Sequence, residues 1–258
     1  MQKTFTQFIS LLTEMPLPVA VDLPQTTKEL TDYKTNLTRL GVLVGKGSSR
    51  AVIKVTVDGK ESVLKIAINN NGLKQNKNEK DIVEKFTTLF TNVHNPLLTL
   101  LDDYTHYHSI EGLPVWLQFD IVIPFKKTQY KELNDYFVPI YGDFTKLSNA
   151  KQFLENNRPD YKGKKEYGFE FCFLNTFRSQ LRSKPASFTL DQWQNLLALY
   201  KFIDKSKTSI HDLRIPENWG LTRDTKELKI IDLGFSDEFC KTSKPLRVTN
   251  NQGMLKFS

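Results

Sequence analysis

His211-Asp212-Leu213-Arg214-Ile215-Pro216-Glu217-Asn218 and then Ile231-Asp232-Leu233-Gly234, with Asp232 fourteen positions past that asparagine, set the carboxylates of Asp212 and Asp232 and the amide of Asn218 around one loop and one strand end. A carboxylate such as Asp212 can accept a hydroxyl proton. The amide oxygen of Asn218 and the carboxylate of Asp232 are hard oxygen donors, the kind with which Mg²⁺ is held against a polyphosphate. Leu228-Lys229-Ile230-Ile231 is β-rich and predicts a strand leading into Asp232. Gly234 permits the sharp turn that swings the carboxylate out of that strand. A plainer interpretation makes Asp212 a turn residue and Asn218 the cap of the next strand. Against it stand a lysine and a glutamate upstream, in an order that suits the same chemistry.

The upstream signal begins at Gly45-Lys46-Gly47-Ser48-Ser49-Arg50-Ala51-Val52, a glycine-rich turn between two β-like runs. Glycines let backbone N–H groups approach phosphate oxygens closely, although such a turn also simply joins strands. Lys46 and Arg50 add charge that suits either phosphate or solvent. Lys65 lies within Val63-Leu64-Lys65-Ile66-Ala67, on a strand whose alternation looks half buried, and that alternation alone also fits an exposed lysine. Glu79, Ile82, Val83 and Phe86 recur at i, i+3, i+4 and i+7, so Glu79 shares the apolar face of a helix while Asp81 and Glu84 fall away from it. A buried carboxylate needs a counter-charge, and Lys65 is the obvious candidate.

The surrounding pattern predicts three regions: 1–40, 41–123 and 124–258. In the first, Phe5, Phe8, Ile9 and Leu12 mark a short amphipathic helix, ended by Pro16 and Pro18, that packs against the rest. The second reads as five strands around one helix: a strand at 41–44, then 51–57, the Asp58-Gly59 turn, 61–68, a loop at 69–72, a helix at 74–90, then strands at 97–104 and 115–123. Pro124-Phe125 marks the passage to the third region, where 126–185 shows no clear period. A helix then starts at the Thr189 cap, with Trp193, Leu196, Leu197, Tyr200 and Ile203 on one face. Phe169, Phe171 and Phe173 at period two read as core.

Bulk properties bound the function. The chain has 258 residues, 39% of them apolar and 25% charged, with 36 basic against 29 acidic side chains for a net charge of +7. That balance favours phosphate-rich partners only mildly. Cys172 and Cys240 stand far apart, which disfavours a disulfide framework or zinc site and suits a reducing cytoplasm. His106 and His108 lack metal-ligand partners at useful spacing and read as a solvated or hydrogen-bonded pair. No run of 18 apolar residues occurs, so no membrane span is expected, and Met1-Gln2-Lys3-Thr4 does not open a secretory signal.

Glycine loop, strand lysine, helix glutamate, catalytic loop and Asp-x-Gly follow one another across residues 40–240 in the order seen in protein kinases, and the chain resembles the protein-kinase-like fold. Asn218-Trp219-Gly220 and the segment from Ala67 to Glu79 also look like kinase-like proteins of bacteriophages. The resemblance implies an α+β, bilobal fold with a β-rich N-lobe and a reduced, mostly helical C-lobe, binding ATP and Mg²⁺ between them. It implies that Lys65, oriented by Glu79, lies on the α- and β-phosphates, and that Gly45, Lys46, Gly47, Val52, Asp120 and Val122 contact the nucleotide. It gives Asn218 and Asp232 to the metal, Asp212 to the acceptor hydroxyl and Arg214 to the phosphate side as a cation.

Departures from the family pattern shape the functional expectation. Arg50 replaces the third glycine, no arginine separates His211 from Asp212, and Asp212 to Asn218 is six steps where the family has five. Leu233 replaces the usual Phe. No Ala-Pro-Glu segment follows Asp232, and only 24 residues follow Gly234, so nucleotide binding is better supported than docking of a peptide in the usual way. The leading expectation is an ATP- and Mg²⁺-dependent phosphotransferase acting on a protein hydroxyl. The alternatives are a pseudokinase that binds nucleotide or protein, and an enzyme that transfers AMP. Nucleic acid ranks last among the partners.

Overall fold

Lys65 lies on the central strand of a five-stranded antiparallel sheet, and the rest of the fold is arranged around it. The computed structural model describes residues 29–30, 41–57, 60–103, 110–147, 169, 172–173, 178 and 181–233. The predicted N-terminal helix, the Asp58-Gly59 turn, His106, His108, Phe171, Gly234 and Cys240 lie outside the described residues.

The first sheet comprises β1 (Val42–Lys46), β2 (Arg50–Val57), β3 (Lys60–Ala67), β4 (Leu100–Asp103) and β5 (Trp116–Asp120), in the order β1-β2-β3-β5-β4. From Ser62 to Ala67 every side chain of β3 is buried, which corrects the half-buried strand expected from alternation. β3 is covered on both faces. Leu64 and Ile66 join Ile53, Val55 and Trp116 in one apolar cluster, while Val63, Leu117 and Phe119 belong to another. A strand covered on both faces has no solvent side to write into its sequence.

Helix α1 (Asn70–Phe86) begins four residues earlier than the period suggested, and a 3₁₀ turn (Thr87–Phe90) replaces its expected last turn. Asn69 is its N-cap, accepting from the Gly72 N–H at 3.1 Å. The Asn/Gly run thus caps and starts the helix instead of forming a loop. Strand 115–123 is in fact two strands. β5 ends at Asp120, and β6 (Val122–Pro124) enters a second antiparallel sheet with β7 (Trp219–Thr222) and β8 (Leu228–Ile230). The strand expected over 97–104 shrinks to β4, with Leu97 bridging in parallel to Ile230.

Two long helices are described in the third region. α2 (Tyr130–Tyr141) falls in the stretch without a clear period and tolerates Pro139 near its end. α3 (Leu190–Ser206) starts at the expected Thr189 cap, and Gln192 completes it with reciprocal bonds to the Thr189 side chain and backbone. Its buried face is Leu196, Leu199, Phe202 and Ile203, and Leu197 is 46% exposed, a correction to the expected stripe. The face is turned because Phe202 packs edge-on against Phe86, with ring centroids 5.8 Å apart. Phe169 and Phe173 are buried beside Phe137, in the core as read from sequence. The architecture is α+β, built on antiparallel sheets with few helices.

Candidate functional site

The end of β8 delivers the downstream residues to β3. The Ile230 N–H donates to the Pro96 carbonyl at 2.7 Å and the Ile231 N–H to the Asn218 carbonyl at 2.8 Å. These two bonds fix the two residues that precede Asp232. The Lys65 ammonium then donates to the Ile231 carbonyl at 2.5 Å, and the Asn78 amide to the Leu233 carbonyl at 3.2 Å. Asp232 is therefore held from both neighbours against β3 and α1.

Four charged side chains meet there. Lys65 Nζ contacts Glu79 Oε1 at 2.5 Å, and Arg50 Nη1 contacts Glu79 Oε2 at 2.5 Å. The second arm of Arg50, Nη2, reaches Asp232 Oδ1 at 2.7 Å. Glu79 is only 1% exposed, so its two oxygens each take a charge-assisted donor in place of water. Burial lowers the Lys65 ammonium below its ordinary value; Glu79 opposes this and the Arg50 charge adds to it. Burial acts the same way on Arg50, but Glu79 and Asp232 outweigh it and hold its pKa above the usual range. The two cations and two carboxylates form a neutral cluster.

The glycine loop is pinned above this cluster. Gly47 N–H donates to the Arg50 carbonyl at 2.8 Å, Ile68 N–H to the Ser49 carbonyl at 2.9 Å, and the Asn69 amide to the Ser48 carbonyl at 2.9 Å. Gly72 admits this contact, since a Cβ there would stand 2.1 Å from the Ser49 oxygen. The loop, Val52, Lys65 and Gln75 roof a cavity of about 230 Å³ whose other wall is Glu217, Asn218, Ile231 and Asp232. That is below the roughly 300–1,000 Å³ of pockets that enclose a drug-sized ligand.

The structure thus brings together Gly47, Val52, Lys65, Asn218 and Asp232, with Glu79 directly behind Lys65. Gly45, Lys46, Asp212 and Arg214 do not line this cavity. Asp212 sits on a single helical turn (Ile210–Leu213), and its carbonyl accepts from Asn218 Nδ2 at 2.9 Å. That bond closes the six-residue step between them and leaves the asparagine beside Asp232. Asp120 lines a different groove, paired with Lys60 at 3.4 Å, and Val122 pairs with Thr222 in the second sheet.

Sequence reasoning missed the reach of Arg50 and the part played by Gln75 and Asn76. Asn76 Nδ2 bonds the carbonyls of Pro114 and Val115, both at 3.1 Å, which docks α1 on the sheet. Gln75 and Asn76 share a helical face with Gly72, Glu79 and Phe86, so the period carried that signal. The donor set fits Mg²⁺. No group of three or more His, Cys, Asp or Glu side chains among the described residues could hold a metal by itself. Mg²⁺, however, usually takes only one or two carboxylates and completes its shell with phosphate and water. Comparison with protein-family models and with curated proteins found no match. No helix among the described residues is long and apolar enough to cross a membrane.

Proposed function

We propose that this chain is a protein-kinase-like, bilobal phosphotransferase that binds ATP and Mg²⁺ and passes the γ-phosphoryl to a hydroxyl of a protein. The observation that carries the reading is the position of Lys65, bonded at 2.5 Å both to Glu79 and to the carbonyl that immediately precedes Asp232, beneath the glycine loop. A fixed ammonium under a glycine loop and an amide beside a carboxylate are among the parts that phosphoryl transfer requires, because the reaction depends on positioning and charge neutralisation more than on covalent chemistry. Lys65 would orient the phosphates with Glu79 holding it, and Asn218 and Asp232 would hold the metal. Bound Mg²⁺ would neutralise charge on the phosphates. Asp212 would position the acceptor and Arg214 would stand on the phosphate side. The relationship proposed is to kinase-like proteins of bacteriophages, with action in the cytoplasm.

A second reading is a pseudokinase that binds nucleotide or protein without transfer. It is favoured by Arg50 engaging Asp232 and by Asp212 standing outside the cavity lining. Incubation with lysate and ATP labelled at either the α- or the γ-phosphate separates the readings. The expected outcome is Mg²⁺-dependent γ-label in protein, absent with Asp232→Asn. Label from the α-position would instead mean AMP transfer, and binding without any labelled product would favour the pseudokinase.

A further inference from the structure

We propose that Arg50 sets the metal requirement of this site: its guanidinium occupies Asp232 as a built-in stand-in for a divalent cation, and metal loading exchanges one for the other. The inference rests on the nucleotide and metal reading above.

Arg50 is the first residue of β2, with its backbone paired to Ala67 and its carbonyl held by Gly47. The base of the side chain is therefore fixed, and the side chain spans to two carboxylates that lie 29 and 182 positions away in sequence. A planar fork of donors can bridge two carboxylates at once, which a lysine's point charge cannot do equally well. Without Arg50, Lys65 alone would face Glu79 and Asp232, leaving a net negative charge in a largely desolvated cluster. With a divalent ion on Asp232 the balance reverses, and the guanidinium becomes a like-charged neighbour of the metal.

Exposure decides which arm yields. Glu79 is 1% exposed at its side chain and Asp232 is 37% exposed. The Arg50–Glu79 contact is the anchor, and the contact of Nη2 with Asp232 is the one that water and metal can replace. The family's glycine at this position has no such charge, so the exchange belongs to this chain's own substitution. Arg50 is a positioning residue: it acts on the metal through Asp232.

The test is Mn²⁺ affinity, measured by paramagnetic resonance in the presence of a saturating non-hydrolysable ATP analogue, for the parent chain, Arg50→Gln and Arg50→Lys. Removing a competitor should tighten Mn²⁺ binding in Arg50→Gln by about tenfold, or about 1.4 kcal/mol. The thermal stability of the metal-free variant should fall. A purely structural arginine would lower both quantities together. If Arg50→Gln does not fold, Arg50→Lys decides, with affinity expected about threefold tighter than the parent because a single ammonium holds Asp232 less well. Unchanged or weaker Mn²⁺ binding in the folded variants, while the parent binds Mn²⁺ with the analogue, overturns the exchange and spares the nucleotide reading. If no chain binds the analogue with or without Mn²⁺, both fall.

Discussion

Glu79 is a single buried carboxylate held by two cations, so the members of the cluster do not contribute equally. Removing Lys65 leaves Glu79 on Arg50, whereas removing Glu79 leaves two cations facing each other in a desolvated site. Glu79→Ala is expected to cost about 3–5 kcal/mol of stability, the range for breaking a buried pair, and Lys65→Met distinctly less. Urea unfolding of both variants and of the double variant checks this, and equal costs for the two single changes would contradict it. The lysine and glutamate were legible because a period of 3.6 placed Glu79 on the buried face. Arg50 was not, because the reach of a side chain at the start of β2 depends on how the preceding loop closes, and here Asn69 and Ile68 close it.

Short elements in this fold depend on their neighbours. β8 has three residues, yet it carries the chain into Asp232. Its hold comes from the segment before β4: Lys229 Nζ donates to the Asn95 carbonyl at 2.8 Å, and the His94 ring bonds the Leu228 carbonyl through Nε2 at 2.8 Å. A carbonyl only accepts, so Nε2 carries the proton. Burial lowers His94 below its ordinary 6.5; its bond to Leu228 and the Glu227 charge oppose this, and the Lys229 charge adds to it. Below that ordinary value the unfolded chain takes up a proton that the folded chain still refuses. Stability is therefore full above 6.5 and declines as pH falls from there through the lowered folded value. Unfolding in urea between about pH 7.5 and about pH 5 should show this decline, and His94→Gln should reduce it. An identical slope in the variant would remove His94 as the cause. At this scale the Thr189 cap was readable from local chemistry alone. Asn69 was not, because asparagine and glycine serve loops and helix starts alike. The break between β5 and β6 was hidden as well, since an apolar run does not show where a chain changes sheets.

Across the whole molecule, one apolar cluster runs from Val63 and Phe119 of the first sheet through Phe86 and Phe202 to Trp219 and Leu228 of the second. That continuity joins residues far apart in sequence into one site. The order of chemical groups along the chain was legible, as was the class of elements that would carry them. Their convergence was given only by the resemblance, because it depends on three carbonyls, those of Pro96, Asn218 and Ile231, accepting bonds from Ile230, Ile231 and Lys65. The proposed function requires that the cavity between Lys65 and Asp232 receive the phosphates of ATP with Mg²⁺. Calorimetric titration of ATP into the parent chain and Asp232→Asn, each with and without Mg²⁺, tests this most directly. The expected result is one saturable site in the parent that strengthens with Mg²⁺, and an Asp232→Asn variant whose weaker binding no longer responds to the metal. Absence of binding by the parent, or an identical response to Mg²⁺ in the variant, would contradict it.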